Sequence, residues 1–206
     1  MFELFRDAFQ RDQREDLTSV GTAPSSGNLD VDQLLDLHGG SSFNQGMYRV
    51  IAATTVARWA QRATSAFPSF TGRVTPFGVD WLGRLFALDS GRHMDGRPAV
   101  VMLEPGTGQA LEVPCDLGAF HDAELVEYRE EALAESFYKE WRIAGGAAPR
   151  ISQCVGYKRP LFLGGSDTTD NLELMNLEVY WDISTQLLNQ TRDLVIGTRV
   201  NHVNIR

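Results

Sequence analysis

Apolar residues recur at helical spacing in four stretches of the chain. Phe2, Phe5 and Phe9 alternate with Arg6, Asp7, Gln10 and Arg11, which predicts a short amphipathic helix within residues 1–13 docking its aromatic stripe on the body of the protein. Leu34, Leu35 and Leu37 follow two possible caps, Asn28 and Asp30, and precede Gly39-Gly40, the start and stop signals of a second helix. Val56, Trp59, Ala60, Ala63 and Phe67 share one face of a third helix over 53–67, with Pro68 just past its end. Leu133, Phe137 and Trp141 recur every four residues before Gly145-Gly146, predicting one helix from Glu130 to Ile143.

Strand patterns occupy the middle. Met47–Ile51 follows turn chemistry at Asn44–Gly46. Val74–Val79, Trp81–Leu88, Ala99–Leu103 and Ala110–Val113 are rich in branched and aromatic residues, and Asp95-Gly96 and Pro105–Gly108 are turn signals between them. Consecutive strands joined by short turns pair antiparallel. The class expected is α+β, an antiparallel meander flanked by helices. Residues 116–121 read as short helical or irregular structure, 147–156 as a loop, and 197–206 as a weak final strand.

The stretch from Pro160 to Leu188 combines an apolar run, a double glycine, an acidic turn and alternating apolar pieces. Leu172 and Leu174 share one parity; Leu177, Val179 and Trp181 share the other. A turn or bulge at Met175-Asn176 would bring all five to the core. Glu173, Glu178 and Tyr180 would then face outward, next to Asp167 and Asp170 in the turn. Aromatics among polar residues suit a contact surface. Asp80 and Asp89 are second candidates for it, and Trp81 and Trp181 belong to the core.

Composition narrows the chemistry. Of 206 residues 43% are hydrophobic, enough for a sizeable core. The net charge of −8 disfavours direct nucleic-acid binding and favours capture of a basic protein. Cys115 and Cys154 are too few for a disulfide framework and read as buried thiols of a reducing compartment. No run reaches the length of a membrane span and residues 1–9 lack signal-peptide character, so a cytoplasmic protein is expected. Asp167, Thr169, Asn171 and Glu178 stand at calcium-loop positions one, three, five and twelve, but Leu172 occupies the sixth, where glycine is needed. His38, His93, His121 and His202 have no metal-ligand spacing. No phosphate loop or nucleophile motif occurs. No cofactor, metal or catalytic residue is therefore assigned. The carboxylates are numerous, but a pair at glycosidase separation is not something a sequence can place. The readings left by the residues are a binding protein, a scaffolding or ligand-binding module joined through its N-terminal helix, and a carboxylate-dependent hydrolase.

Phe77–Asp89 (FGVDWLGRLFALD), Glu104–Gln109 (EPGTGQ), Leu161–Glu173 (LFLGGSDTTDNLE) and Val179–Ile183 (VYWDI), with Ser42–Arg49 (SFNQGMYR), together resemble bacterial type VI secretion immunity proteins. That group pairs a GAD-like N-terminal region with a C-terminal domain long catalogued as of unknown function, and the chain is similar too to the wider SMI1/KNR4-like superfamily. The resemblance spans residues 30–195; residues 1–28 carry none of its motifs. It implies a GAD-like or SMI1/KNR4-like α+β fold, with a helix and linker over 1–28, a GAD-like region over 29–145 and an immunity-type subdomain over 146–206. It also implies a non-enzymatic protein that binds a cognate toxin, a basic nuclease, and neutralises it by stoichiometric occlusion. Asp167, Asp170, Glu173, Glu178 and Tyr180, then Asp80 and Asp89, are the expected contacts, and the N-terminal helix is a possible route to a homo-oligomer.

Overall fold

The computed structural model describes residues 2–14 and 25–194, with the side chains of Gln13 and Arg14 excepted. The final strand expected over 197–206 and most of the linker expected over 17–28 lie outside the described residues.

Seven strands form one antiparallel sheet in sequence order: β1 (Arg11–Arg14), β2 (Ser41–Phe43), β3 (Tyr48–Val50), β4 (Val74–Asp80), β5 (Leu85–Met94), β6 (Arg97–Glu104) and β7 (Gln109–Val113). The expected α+β meander is present, and β1 and β2 extend it beyond the strands expected from sequence. The Asp95-Gly96 hairpin turns with φ of 51° and 80°, the doubly positive geometry that makes Asp-Gly a hairpin signal. Leu85–Asp89 of β5 and Ala99–Leu103 of β6 are buried at every position, so both faces of the central strands are covered.

Helix α1 (Glu3–Ala8) turns Phe2, Phe5 and Phe9 inward, at 0%, 0% and 2% exposure. Its open N-terminal amides are satisfied from far along the chain, because Asp122 accepts from the backbone N–H of Phe2 (2.9 Å) and of Phe5 (3.1 Å). The aromatic stripe is thus spent within one chain, and a homo-oligomer cannot be built through it without undocking the helix. Helix α2 (Leu29–His38) begins as its sequence demands, with the Asn28 side chain accepting from the amides of Asp30 and Val31. A single turn at Ala53–Thr55 leads into α3 (Val56–Ala66).

His121 lies at the centre of the aromatic cluster that α1 completes. Its Nδ1 lies 2.9 Å from the Leu117 carbonyl, so it carries the proton, and its Nε2 accepts from the Tyr48 hydroxyl at 3.0 Å. Phe2, Phe5, Phe77 and Phe120 surround the ring. Burial pushes its pKa down to about 4, against the weaker pull of the Leu117 carbonyl and Asp122. The folded state keeps His121 neutral where the unfolded chain begins to protonate it near pH 6.5, so its stabilising contribution is full above that pH and lost as pH falls toward 4. The whole interval corresponds to about 3 kcal/mol. Urea midpoints of the wild type should fall between pH 7 and pH 5, and the fall should shrink in His121→Gln; equal slopes for the two proteins would refute this role.

Leu117–Glu127 is one continuous coiled segment: α4 (Leu117–Ala119), a wide π-turn over Phe120–Glu124, and α5 (Leu125–Glu127). The single helix expected over 130–143 is instead two, α6 (Arg129–Leu133) and α7 (Glu135–Ile143), broken at Ala134 with φ of 50°. Tertiary donors occupy the carbonyls at the break: Trp81 Nε1–H donates to Leu133 (2.8 Å) and Arg84 Nη2–H to Ala132 (3.1 Å). The expected loop before Gly156 contains β8 (Gln153–Tyr157), which pairs antiparallel with β9 (Leu172–Asn176). Helix α8 (Leu177–Thr191) closes the fold against α3. Buried residues from both sides of position 145, including Trp81, Tyr138, Cys154 and Trp181, share one core. Among the described residues, no helix is long and apolar enough to cross a membrane.

Candidate functional site

The acidic turn between β8 and β9 is held rigid by its own polar groups. Asn171 is 9% exposed and ties the turn together. Its Nδ2 donates to the carbonyls of Arg159 and Ser166, each at 2.8 Å, and its Oδ1 accepts from the Arg159 amide at 3.0 Å. The Asp167 carboxylate accepts from the Tyr157 hydroxyl at 2.7 Å. This leaves Asp167, Asp170 and Glu173 exposed on a fixed scaffold. Lys158 crosses the turn to the Asp170 carbonyl at 2.9 Å, so the patch is not uniformly negative.

Tyr180, Glu178, Asp80 and Asp89 do not join those acids on the surface. The segment from Leu177 is a helix, not a strand. The Asn176 side chain caps it by accepting from the amides of Glu178 and Val179. A 3.6-residue period buries Leu177, Tyr180, Trp181, Ser184 and Leu187, so Tyr180 is inside at 3% and Val179 outside at 51%. Glu178 is half-buried and engaged by Arg58 (2.7 Å) and Arg62 (3.0 Å) across to α3, with Asp182 on Arg62 as well. Trp81 and Trp181 are both fully buried, as expected from sequence.

Asp80 and Asp89 are fully buried because they sit on strands covered on both faces. Asp80 accepts from the Arg84 amide (2.9 Å) and Nε (2.6 Å). Asp89 accepts from Arg73 through both oxygens, at 2.7 and 2.5 Å, and from the Gly91 amide. Burial alone would raise the Asp89 carboxyl, but Arg73 and the Gly91 amide outweigh it and hold the group below the usual carboxylate range. Each of these acids is bonded to an arginine and a backbone amide, not to a second carboxyl. Both cysteines are free and buried, and burial pushes each thiol up to about 12, which suppresses the reactive thiolate. Among the described residues there is no group of three or more His, Cys, Asp or Glu side chains arranged to hold a metal.

A second exposed acidic patch was not expected. Tyr128 is 51% exposed in the joint between α5 and α6. Glu127, Glu130 and Glu131 around it are exposed. Glu130 is committed to the Ser136 amide (2.9 Å); Glu127 and Glu131 make no ion pair among the described residues. Tyr128 lies just before the helix expected over 130–143, in the joint between α5 and α6, and its exposure there depends on how those two short helices pack.

Residues 120–188 match the family described as T6SS immunity protein Tdi1, C-terminal. The segment runs from the π-turn through both acidic patches to α8. The fold is similar to the crystal structure of Atu4351 from Agrobacterium tumefaciens, with a TM-score of 0.61 at 15% identity, covering 90% of this chain and 89% of that one. At that identity the likeness is one of fold. No curated protein matches the chain. Over about a third of its length, then, the chain matches a type VI secretion immunity family, the group its sequence motifs resemble.

Proposed function

We propose that this protein is an immunity protein that binds a cognate type VI toxin and neutralises it by occupying its surface one-to-one, without turnover. The observation that carries this reading is the family match over residues 120–188. Two further features support it. The chain has a net charge of −8, and complementary charge speeds capture of a basic partner such as a nuclease. The matched segment also holds exposed carboxylates on rigid structure: Asp167, Asp170 and Glu173 in the pinned turn, and Glu127 and Glu131 beside Tyr128. These are the contacts we assign to the toxin. Glu178 belongs to the α3–α8 ion-pair network, and Tyr180, Asp80 and Asp89 belong to the core.

The test is co-expression with a candidate toxin, taken from a neighbouring gene if one encodes a secreted nuclease. Growth should be rescued and the two proteins should co-purify at equal stoichiometry; failure of both would overturn the reading. Reversing the turn with Asp167→Lys, Asp170→Lys and Glu173→Lys together should weaken association at least tenfold at low salt and less at high salt. Unchanged affinity would remove the turn from the interface and leave the Tyr128 patch to be tested in the same way.

A further inference from the structure

We propose that the cleft between the β2–β3 turn and α7 is an anchor for the cognate toxin, taking a segment that presents a carboxylate beside an apolar side chain. This inference rests on the toxin-binding reading and names a further part of its contact surface. The cleft has a volume of about 490 Å³, within the range of pre-formed binding pockets. One wall is the turn after β2, with Gln10 and Asp12 beside it; the other is α7, from Glu135 to Ile143. The α7 wall lies inside the segment that matches the immunity family. The turn is held in place before any partner arrives. The Asn44 amide donates to the Gln10 carbonyl and the Asn44 Oδ1 accepts from the Gln10 amide, both at 2.9 Å. Asp12 accepts from the Gly46 amide at 3.0 Å, and the Tyr138 hydroxyl donates to the Gln45 carbonyl.

The charged groups of the walls are already engaged, with one exception. Asp12 serves the turn, and Glu135 is shared between Lys139 (3.0 Å) and Arg129 (3.5 Å). Arg142 is the exception. Its Nη1 donates to Gln45 Oε1 (3.1 Å) and to the Tyr138 hydroxyl (3.3 Å), both neutral, and it makes no ion pair among the described residues. Its Nε is sealed from solvent without an acceptor; its Nη2 also makes no hydrogen bond among the described residues but is not sealed, so a partner's group can reach it. The planar fork of a guanidinium with an open donor fits a carboxylate. The next residue sets the neighbouring requirement. Ile143 lines the same cleft and is 87% exposed, the highest value of any large apolar residue described. An apolar side chain laid over Ile143 would also keep water from the Arg142 contact, the arrangement found at interface hot spots. A carboxylate of the toxin is repelled by the acidic patches and attracted here, which fixes the register of docking. The patches thus speed capture and the cleft positions what is captured.

The test measures binding of the candidate toxin to the purified full chain by titration calorimetry. Ile143→Asp should weaken association about tenfold or more, as loss of a hot-spot contact does. Arg142→Gln should weaken it by about tenfold, the scale of a hydrogen bond to a charged group. Leu29→Asp is the control: Leu29 is 85% exposed on α2 and lies outside the cleft, and that variant should bind as the wild type does. Ile143 is exposed, so its variant tests the cleft even where losing the Arg142–Gln45 bond loosens the turn. Wild-type affinity in Ile143→Asp would overturn the anchor and leave the immunity reading intact. Equal losses in Ile143→Asp and Leu29→Asp would overturn it as well, because the effect would then be one of added charge and not of place. Wild-type affinity in Arg142→Gln would overturn the carboxylate assignment. A wild-type chain that neither binds nor rescues would overturn the immunity reading, and the anchor with it.

Discussion

Tyr180→Ala is expected to cost about 3–5 kcal/mol of folding stability, the range for removing a large buried aromatic. The physical reason lies in three glycines from three segments. A Cβ on Gly156 of β8 would meet the Tyr180 ring at 2.7 Å, one on Gly106 of the β6–β7 turn its hydroxyl at 2.9 Å, and one on Gly83 of the β4–β5 turn its ring at 3.2 Å. The slot is as narrow as a backbone allows. Tyr180 is thus the key by which α8 locks onto the meander, with Trp181 beside it donating from Nε1 to the Gly83 carbonyl at 2.8 Å. Gly156→Ala should itself cost about 1–3 kcal/mol by overpacking. In the Tyr180→Ala background that cost should largely vanish, because the clashing ring is gone. Urea denaturation of the two single variants and the double variant measures the coupling. Strict additivity would show that the glycines are not there for the tyrosine.

Asp80→Ala is expected to lose about 3–5 kcal/mol, because it leaves Arg84 charged and unpaired in the core. Asp80 is 0% exposed and the Arg84 side chain 8%, so the pair has little of the solvent screening that makes surface ion pairs weak. Adding Arg84→Leu to Asp80→Ala should recover much of the loss by removing the stranded charge. Recovery should be partial, since Arg84 also satisfies the Ala132 carbonyl at the α6–α7 break. The denaturation midpoint should fall with an unchanged slope. A loss below about 1 kcal/mol, the value of an exposed pair, would refute a buried structural role. The same substitution is a poor probe of toxin binding, because any lost affinity would report unfolding.

Much of the fold was legible where neighbours in sequence decide the outcome. Asn28 caps α2, Asp95-Gly96 turns the hairpin, and the Phe2, Phe5 and Phe9 stripe docks as its spacing predicts. Leu177–Trp181 is a case where two periods fit. Leu177, Val179 and Trp181 satisfy alternation, and Leu177, Tyr180, Trp181 and Ser184 satisfy a helix; five residues cannot arbitrate. The period that won buries Tyr180 and exposes Val179. Ala134 is the opposite failure. Alanine is the best helix former, and nothing local predicts that Trp81 and Arg84 bond the carbonyls at a break there.

The candidate site divides along the same line. Sequence placed Asp167, Asp170 and Glu173 at the surface, where the structure has them, since an acidic turn between strands has few ways to be buried. It could not separate them from Asp80 and Asp89, which have the same chemistry and whose burial depends on layers packed over both faces of the sheet. By itself, then, the sequence determined the α+β class, the antiparallel meander, its turns and the family motifs, because periodicity and turn chemistry act within a few residues. The tertiary structure alone decided which acids reach solvent, where the last helix begins, and that Arg142 lines a cleft with no acid partner among the described residues. Those outcomes depend on partners such as Asp122 for Phe2, 120 positions away, and Gly83 for Trp181, 98 positions away. No local pattern encodes a contact made only when the chain has closed.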